Sequence, residues 1–211
     1  MPTLKQRLKL GPLFTPLNAL YSWFVRLAWR LKGSPLPPPH EVKQRHLLTL
    51  RNKWPADTLI ETGTYRGKMV FAMRPYFPQV YSIELAPELA SKAQKVFEKV
   101  PTVHIVHGDS GTMLPRIVET LKGPAIFWLD GHYSGGETAQ SSEHSPLRAE
   151  LGCIFSSPVK GHVIAIDDAH LFNGKDGYPS HEELQHMVSD MAAEYDIEFR
   201  NNIVTLTPRA G

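Results

Sequence analysis

From Asp57 onward, short runs rich in β-branched and aromatic residues alternate with longer stretches of helical periodicity, and few folds satisfy that alternation. Each strand followed by a helix makes a βαβ unit, whose parallel strands need helices on both faces of the sheet. The first five strand-like runs are Thr58–Thr62, Gln79–Leu85, Val103–His107, Ala125–Leu129 and His162–Ile166. Helical patterns follow them near Tyr65–Arg74, from Pro87 to Val100, and near Thr112–Leu121, Leu147–Phe155 and His181–Ala193. A sixth run, Asp196–Arg200, turns at Asn201-Asn202 into a seventh, Ile203–Thr207. Asn tolerates the positive φ of a tight hairpin, so these last two strands should be antiparallel neighbours. The expected architecture is α/β: a doubly wound, mostly parallel seven-stranded sheet of Rossmann-like type, closed by an antiparallel hairpin.

A chain of 211 residues accommodates one such domain and an appendage. The expected division is a basic, amphipathic segment with a Pro-rich linker over residues 1–46 and the α/β domain over 47–211. Residues 1–33 carry Lys5, Arg7, Lys9, Arg26, Arg30 and Lys32 and no Asp or Glu. The net charge of the whole chain is only +2, too little to argue for a nucleic-acid partner. Within Leu17–Leu31, Arg26 and Arg30 interrupt the apolar run and no small-residue cleavage site follows, which excludes a spanning helix and a signal peptide. Leu20, Trp23, Phe24, Leu27 and Leu31 nevertheless recur at helical spacing, with Trp23 and Trp29 as candidate interface anchors. Two roles stay open for this N-terminal helical extension: lying on a membrane surface, or packing against the domain's core or a second copy in a homodimer. Gly33 to Pro39 reads as a stiff, extended linker. A single cysteine, Cys153, excludes an intrachain disulfide and fits a reducing compartment, with the cytoplasm as the default location.

The first strand runs into Glu61-Thr62-Gly63-Thr64-Tyr65-Arg66-Gly67, a glycine turn at a strand-to-helix junction. Glycines there let the backbone approach a nucleotide-like ligand in the crevice beyond the strand ends. The spacing is wrong for a phosphate loop and for the dinucleotide fingerprint, because Lys68 is followed by Met69 and Thr64-Tyr65 breaks the glycine pattern. Glu61 favours a cationic amino-acid ligand over a pyrophosphate. Glu84 ends the second strand, where an acid accepts from ribose hydroxyls, and Asp109 ends the third, within reach of a base. Each acid read alone would pass as a helix cap or a solvated loop residue.

Taken with Trp128-Leu129-Asp130-Gly131-His132-Tyr133-Ser134-Gly135-Gly136 and Ile166-Asp167-Asp168, the stretch Thr58–Thr207 resembles the class I S-adenosylmethionine-dependent methyltransferases. The likeness is greatest to small bacterial members with a W-L-D-G-H-Y-S-G-G loop. The resemblance implies that Glu61, Gly63, Thr64 and Gly67 line the methionine side of the cofactor. It places Glu84 and Leu85 at the ribose, Asp109 and Ser110 at the adenine, and Asp130 beside the reacting end. In the strand order 3-2-1-4-5, Asp130, Asp167 and Asp168 converge beyond neighbouring strands, a donor set suited to Mg²⁺. That pocket is similar to those of catechol-type and macrolide-sugar O-methyltransferases, although the catechol type has Asn where this chain has Asp168. The alternative is that Asp167 or Asp168 caps a turn while Asp130 faces the cofactor.

His132 is the candidate general base, with an ordinary pKa near ~6.5 suited to an acceptor hydroxyl, and His170 is the reserve. Alignment of acceptor and methyl donor should contribute ~7 to 11 kcal/mol, more than a base supplies. The expected activity is methylation of a hydroxyl on a sugar, glycan or small molecule. The competing reading is a non-catalytic module that keeps the cofactor pocket and recruits a membrane or partner. Gly108-Asp109-Ser110-Gly111 mimics a serine-protease signature, but an alternating α/β chain lacks the all-β framework and the G-x-S-x-G elbow that hydrolases need. His104, His107 and His162 lie on strands and read as packed or surface residues.

Overall fold

The computed structural model describes residues 9–11, 13–130, 146–175 and 178–209. Seven strands form one sheet in the order β3-β2-β1-β4-β5-β7-β6. They are β1 Thr58–Thr62, β2 Gln79–Glu84, β3 Val103–His107, β4 Ala125–Leu129, β5 Val163–Ile166, β6 Tyr195–Arg200 and β7 Ile203–Pro208. Among the described residues the helices are α1 Phe14–Leu31, α2 His40–Lys53, α3 Lys68–Met73, α4 Pro87–Phe97, α5 Ser110–Val118, α6 Pro146–Phe155 and α7 His181–Met191, with a 3-10 turn at Ala169–Leu171. β1 to β5 pair in parallel, and β7 runs antiparallel to both β5 and β6. Asn201 and Asn202 both adopt positive φ, 52° and 63°, which is the backbone the two-residue hairpin demands.

Every residue of β4 and β5 is buried, as central parallel strands covered on both faces must be. Successive residues alternate between two cores. Ile60, Phe127 and Ile164 pack with Leu114 of α5, Leu151 of α6 and Leu184 of α7. Leu59, Ile126 and Val163 pack with Leu47 of α2, Val70 of α3 and Phe97 of α4. The strand period of two thus decides which helices each side chain meets.

Among the differences from the sequence expectation, three bear on the site. The first helix after β1 starts at Lys68 rather than Tyr65, because Tyr65 (φ 46°) and Gly67 (φ 64°) both sit in the left-handed region and cannot belong to it. The division drawn at 46/47 falls within α2, whose Lys43 pairs with Asp167, whose His46 Nε2 lies 2.8 Å from Thr205 Oγ1 and whose Leu47 is fully buried. Gly33–Pro39 is not an extended spacer either: it folds back on α1, where Trp29 Nε1 donates to Pro35 O at 2.8 Å and Ser34 N donates to Trp29 O at 3.0 Å. Positive φ at Gly33 and Ser34 makes that reversal.

If α2 belongs to the domain, Leu47→Ala should behave as a central core truncation. Urea unfolding should show a loss of ~2–5 kcal/mol. A change under ~0.5 kcal/mol, typical of surface sites, would place α2 outside the cooperative unit.

Candidate active site

The glycine turn leaves β1 and wraps around the end of β2. Gly63 N and Thr64 N both donate to Ile83 O, at 2.9 and 3.2 Å, so the turn leans onto the neighbouring strand. Glu84, at the end of β2, completes it by accepting from Tyr65 N at 2.7 Å through one carboxylate oxygen and from Ala86 N at 2.9 Å through the other. The carboxylate therefore holds the turn, and each of its oxygens retains a second lone pair for a further donor. Left-handed Tyr65 is stabilised by that bond, while Gly67 is glycine for two reasons. Its φ is positive, and a Cβ would stand 3.3 Å from the Phe97 ring.

Glu61 lies in a different environment. It is 2% exposed and accepts from Ser82 Oγ at 2.5 Å, and Ser82 Oγ lies 2.6 Å from Thr64 Oγ1. Burial pushes its carboxyl up to about 8; the Ser82 hydrogen bond opposes the rise, and the charges of Asp130 and Glu84 reinforce it. A carboxyl with that pKa is largely protonated at neutrality, and a cation placed nearby would ionise it. Asp130 continues the same edge: its N–H donates to Thr62 O at 3.1 Å, which ties the end of β4 to the end of β1.

Asp109 stands at the N-cap of α5 without a side-chain capping bond, so the capping role open to it in the sequence is not realised. Its neighbours include a residue the sequence analysis did not single out. Glu150 of α6 is 4% exposed, and burial pushes its carboxyl up to about 7; a hydrogen bond from Ser110 opposes the rise and Asp109 adds to it. Glu150 Oε1 has no hydrogen-bond partner among the described residues. Spacing gave no signal for this residue, because a Glu in a helical run reads as a solvated position. Leu85, beside Glu84, is 62% exposed and offers an apolar surface at the same rim.

The three carboxylates expected to share a cation are arranged otherwise. Lys43, from α2, forms an ion pair with Asp167 Oδ2 and lies 3.8 Å from Asp168 Oδ1. Burial alone would pull the Lys43 ammonium down, but Asp167, Asp168 and Asp130 outweigh it and the pKa is raised. Asp167 Oδ1 accepts from Asp168 N at 2.8 Å, and Asp168 Oδ1 accepts from Asn202 Nδ2 at 3.0 Å. Among the described residues no group of three His, Cys, Asp or Glu side chains converges in a way that could hold a metal ion. The donor set does not fit Mg²⁺: an ammonium already sits where the cation would, with protein donors on the neighbouring oxygens. Lys43 escaped the sequence analysis because it lies before residue 47, in the stretch read as outside the α/β domain.

Asp168 is itself left-handed (φ 53°) and anchors a second chain of contacts. Because Asn202 Nδ2 donates to Asp168, Asn202 Oδ1 must accept, and it lies 2.9 Å from both His170 N and His170 Nδ1. That network puts the His170 proton on Nδ1 and leaves Nε2 as an acceptor on a side chain that is 43% exposed. His132 lies outside the described residues, as do all of residues 131–145. His40, at the start of α2, is a further histidine near Lys43 and Lys68. Burial lowers its pKa, the two lysines lower it further, and its Nδ1 has no partner among the described residues. His162, by contrast, is packed: Nδ1 accepts from Ala125 N at 3.1 Å and burial lowers it to about 4.

Solved structures that share this arrangement of strands and helices include methyltransferases. The SAH-bound methyltransferase PaMTH1 of Podospora anserina aligns over 100% of this chain and 98% of its own, at 13% identity and a TM-score of 0.55. The fold is that of the class I methyltransferases. An SAH-bound O-methyltransferase from Bacillus cereus shares this methyltransferase fold over 89% of this chain and 90% of its own, at 15% identity and a TM-score of 0.56. CalS10, a SAM-bound amino pentose methyltransferase from Micromonospora echinaspora involved in calicheamicin biosynthesis, does so over 88% and 96%, at 14% identity and 0.54. No family model and no curated protein matches the sequence.

The Lys43–Asp167 pair is the most sensitive point of this site, since the Asp167 side chain is 1% exposed. Lys43→Met should cost ~3–5 kcal/mol in urea unfolding, the usual effect of stranding one buried charge. Adding Asp167→Asn should recover much of that loss. A Lys43→Met protein as stable as the parent would show that the ammonium is not needed there.

Proposed function

We propose that this chain is an S-adenosylmethionine-dependent methyltransferase that transfers a methyl group to a hydroxyl of a sugar, a glycan or a small molecule. The observation that carries the reading is the gathering of Glu61, Glu84 and Asp130 at one edge of a methyltransferase-fold sheet, close enough that Asp130 and Glu84 both raise the pKa of Glu61. Three acids in one crevice leave a negative potential there, and a sulfonium nucleoside with an ammonium group complements it. The remaining lone pairs of Glu84 suit a ribose diol, and Asp109 with Ser110 suits the exocyclic amine of a purine. Sugar and small-molecule acceptors are supported by the fold's neighbours, which include an O-methyltransferase and an amino pentose methyltransferase.

The bound cofactor supplies a methyl carbon activated by its positive sulfur. In the transfer, an acceptor oxygen forms a bond to that carbon as the carbon–sulfur bond breaks, and the hydroxyl proton passes to a base. We assign that base to His132, two residues beyond Asp130 in the sequence, with His170 Nε2 in reserve. Glu61 sets the charge of the pocket, Glu84 and the Gly63–Gly67 turn fix the nucleoside, and Lys43 neutralises Asp167 and Asp168 without a metal. Orientation of acceptor against donor supplies most of the rate, as in other reactions between two held partners.

Calorimetry with S-adenosylmethionine and S-adenosylhomocysteine tests the reading. A cation must displace the Glu61 proton below about pH 8, so binding of S-adenosylmethionine should release protons and tighten as pH rises from ~6 towards 8. Glu61→Gln should abolish the proton release, and Glu84→Ala should weaken binding by ~10-fold or more. Turnover should survive EDTA and fall ~10²–10⁴-fold in His132→Ala. Absence of binding at millimolar cofactor would end the methyltransferase reading, and binding with no transfer to any hydroxyl acceptor would favour a recruiting module.

A further inference from the structure

Helix α1 is amphipathic the wrong way round for a helix that covers a core. Its buried residues are Ser22 and Trp29, which face the domain. At ~100° per residue, Leu13, Leu17, Leu20, Phe24, Leu27 and Leu31 all fall within about 40° of the opposite direction. Those six side chains are 40% to 79% exposed. They repeat at alternating steps of four and three, so they form a straight stripe along a helix about 27 Å long. Tyr21 and Trp23, 59% and 51% exposed, lie at the two margins of the stripe, about 100° from the inward direction. Of the two anchors expected from the sequence, Trp23 is therefore at the surface, whereas Trp29 is buried and holds the following loop.

The charge carried by α1 and the residue that follows it has one sign. Arg30 and Lys32 flank the stripe on opposite sides, and Arg26, partly buried beneath, is crowded by Arg30 and by Arg45 of α2, with Glu41 of α2 offsetting them in part. At the other end Lys9 stacks over Phe71, 4.9 Å from the ring centroid, and borders a cavity of about 330 Å³ that Arg66, Lys68 and Lys92 also line. Residues 1–33 contain no acid to balance these cations. A second copy of the chain pressed against this face would bring cation against cation. The polar sequence of residues 131–145 holds too few apolar side chains to cover the stripe. An anionic lipid surface answers both features, taking the apolar stripe into the acyl boundary while the basic flanks meet headgroups. No helix among the described residues is long and apolar enough to cross a membrane, which leaves the plane of the interface.

We infer that α1 is a membrane-docking helix, which seats the protein on an anionic bilayer through the Leu13–Leu31 stripe and its flanking Arg and Lys residues. The short loop after α1 leads directly into α2, so docking places the bilayer next to the helix that delivers Lys43 to the carboxylates of the candidate active site. The inference does not depend on the methyltransferase reading.

The test is co-sedimentation of the full chain with vesicles of equimolar phosphatidylcholine and phosphatidylglycerol, against vesicles of phosphatidylcholine alone. The chain should pellet with the anionic vesicles, at least ~10-fold better than with the neutral ones, and the advantage should shrink in high salt. Leu20→Glu/Phe24→Glu should lose that binding while its thermal unfolding and its calorimetric response to S-adenosylhomocysteine match the parent. Arg30→Ala/Lys32→Ala should bind both vesicle types equally weakly. Failure to pellet, or equal pelleting by the Glu variant, overturns the inference. So does a dimer in sedimentation velocity that Leu20→Glu/Phe24→Glu dissolves, because the stripe would then be a subunit interface.

Discussion

Parallel pairing in register is the constraint on which the rest of the site depends. β1 pairs with β2 and with β4 so that Glu61 lies opposite Ser82 on one side and Trp128 on the other, and Thr62 opposite Ile83 and Leu129. All these strands end at the same edge, and each brings an acid there: Glu61 one residue before the end of β1, Glu84 as the last residue of β2 and Asp130 just after β4. Three carboxyl groups in one crevice repel one another and lose hydration, and the structure accommodates this by holding Glu61 protonated up to about pH 8 beneath the glycine turn. A pocket poised in this way is short of positive charge, which is the property a cationic nucleoside supplies.

Further along the same edge the excess of acid is met differently. Asp167 and Asp168 receive an ammonium from α2, a helix on the face opposite α5 to α7, and the hairpin turn contributes Asn202 from the far end of the chain. The arrangement makes the N-terminal helix, the end of β5 and the β6–β7 turn interdependent, with left-handed Asp168 at their meeting point. A divalent cation would do the same neutralising work in a related pocket, and the presence of Lys43 removes the need for it.

The exposed stripe of α1 follows from the same economy of surfaces. Both faces of the sheet are already covered, one by α2, α3 and α4 and the other by α5, α6 and α7, so α1 adds only Phe14, at its first turn, to the edge of one core. It packs on the outside through small and amphipathic side chains, Ser22 and Trp29, and its leucines point away. Leucine and phenylalanine side chains in such number carry a solvation cost that a soluble surface seldom bears, and large exposed apolar patches are a mark of interaction sites.

The sequence by itself determined the sheet. Its strand runs, the helix after each, the Asn201-Asn202 hairpin and the acids at Glu61, Glu84, Asp109 and Asp130 are all local: periodicity, turn chemistry and position at a strand end are encoded within a few residues. Tertiary structure alone decided what those acids meet. Lys43 and Asp167 are far apart in the chain, as are Glu150 and Asp109, and no periodicity reports an ion pair or a buried carboxyl formed across such separations. The facing of α1 was equally unreadable, since a hydrophobic stripe has the same spacing whether it covers a core or awaits a partner. Whether a core remains to be covered is a property of the assembled sheet and its helices, not of the helix that carries the stripe.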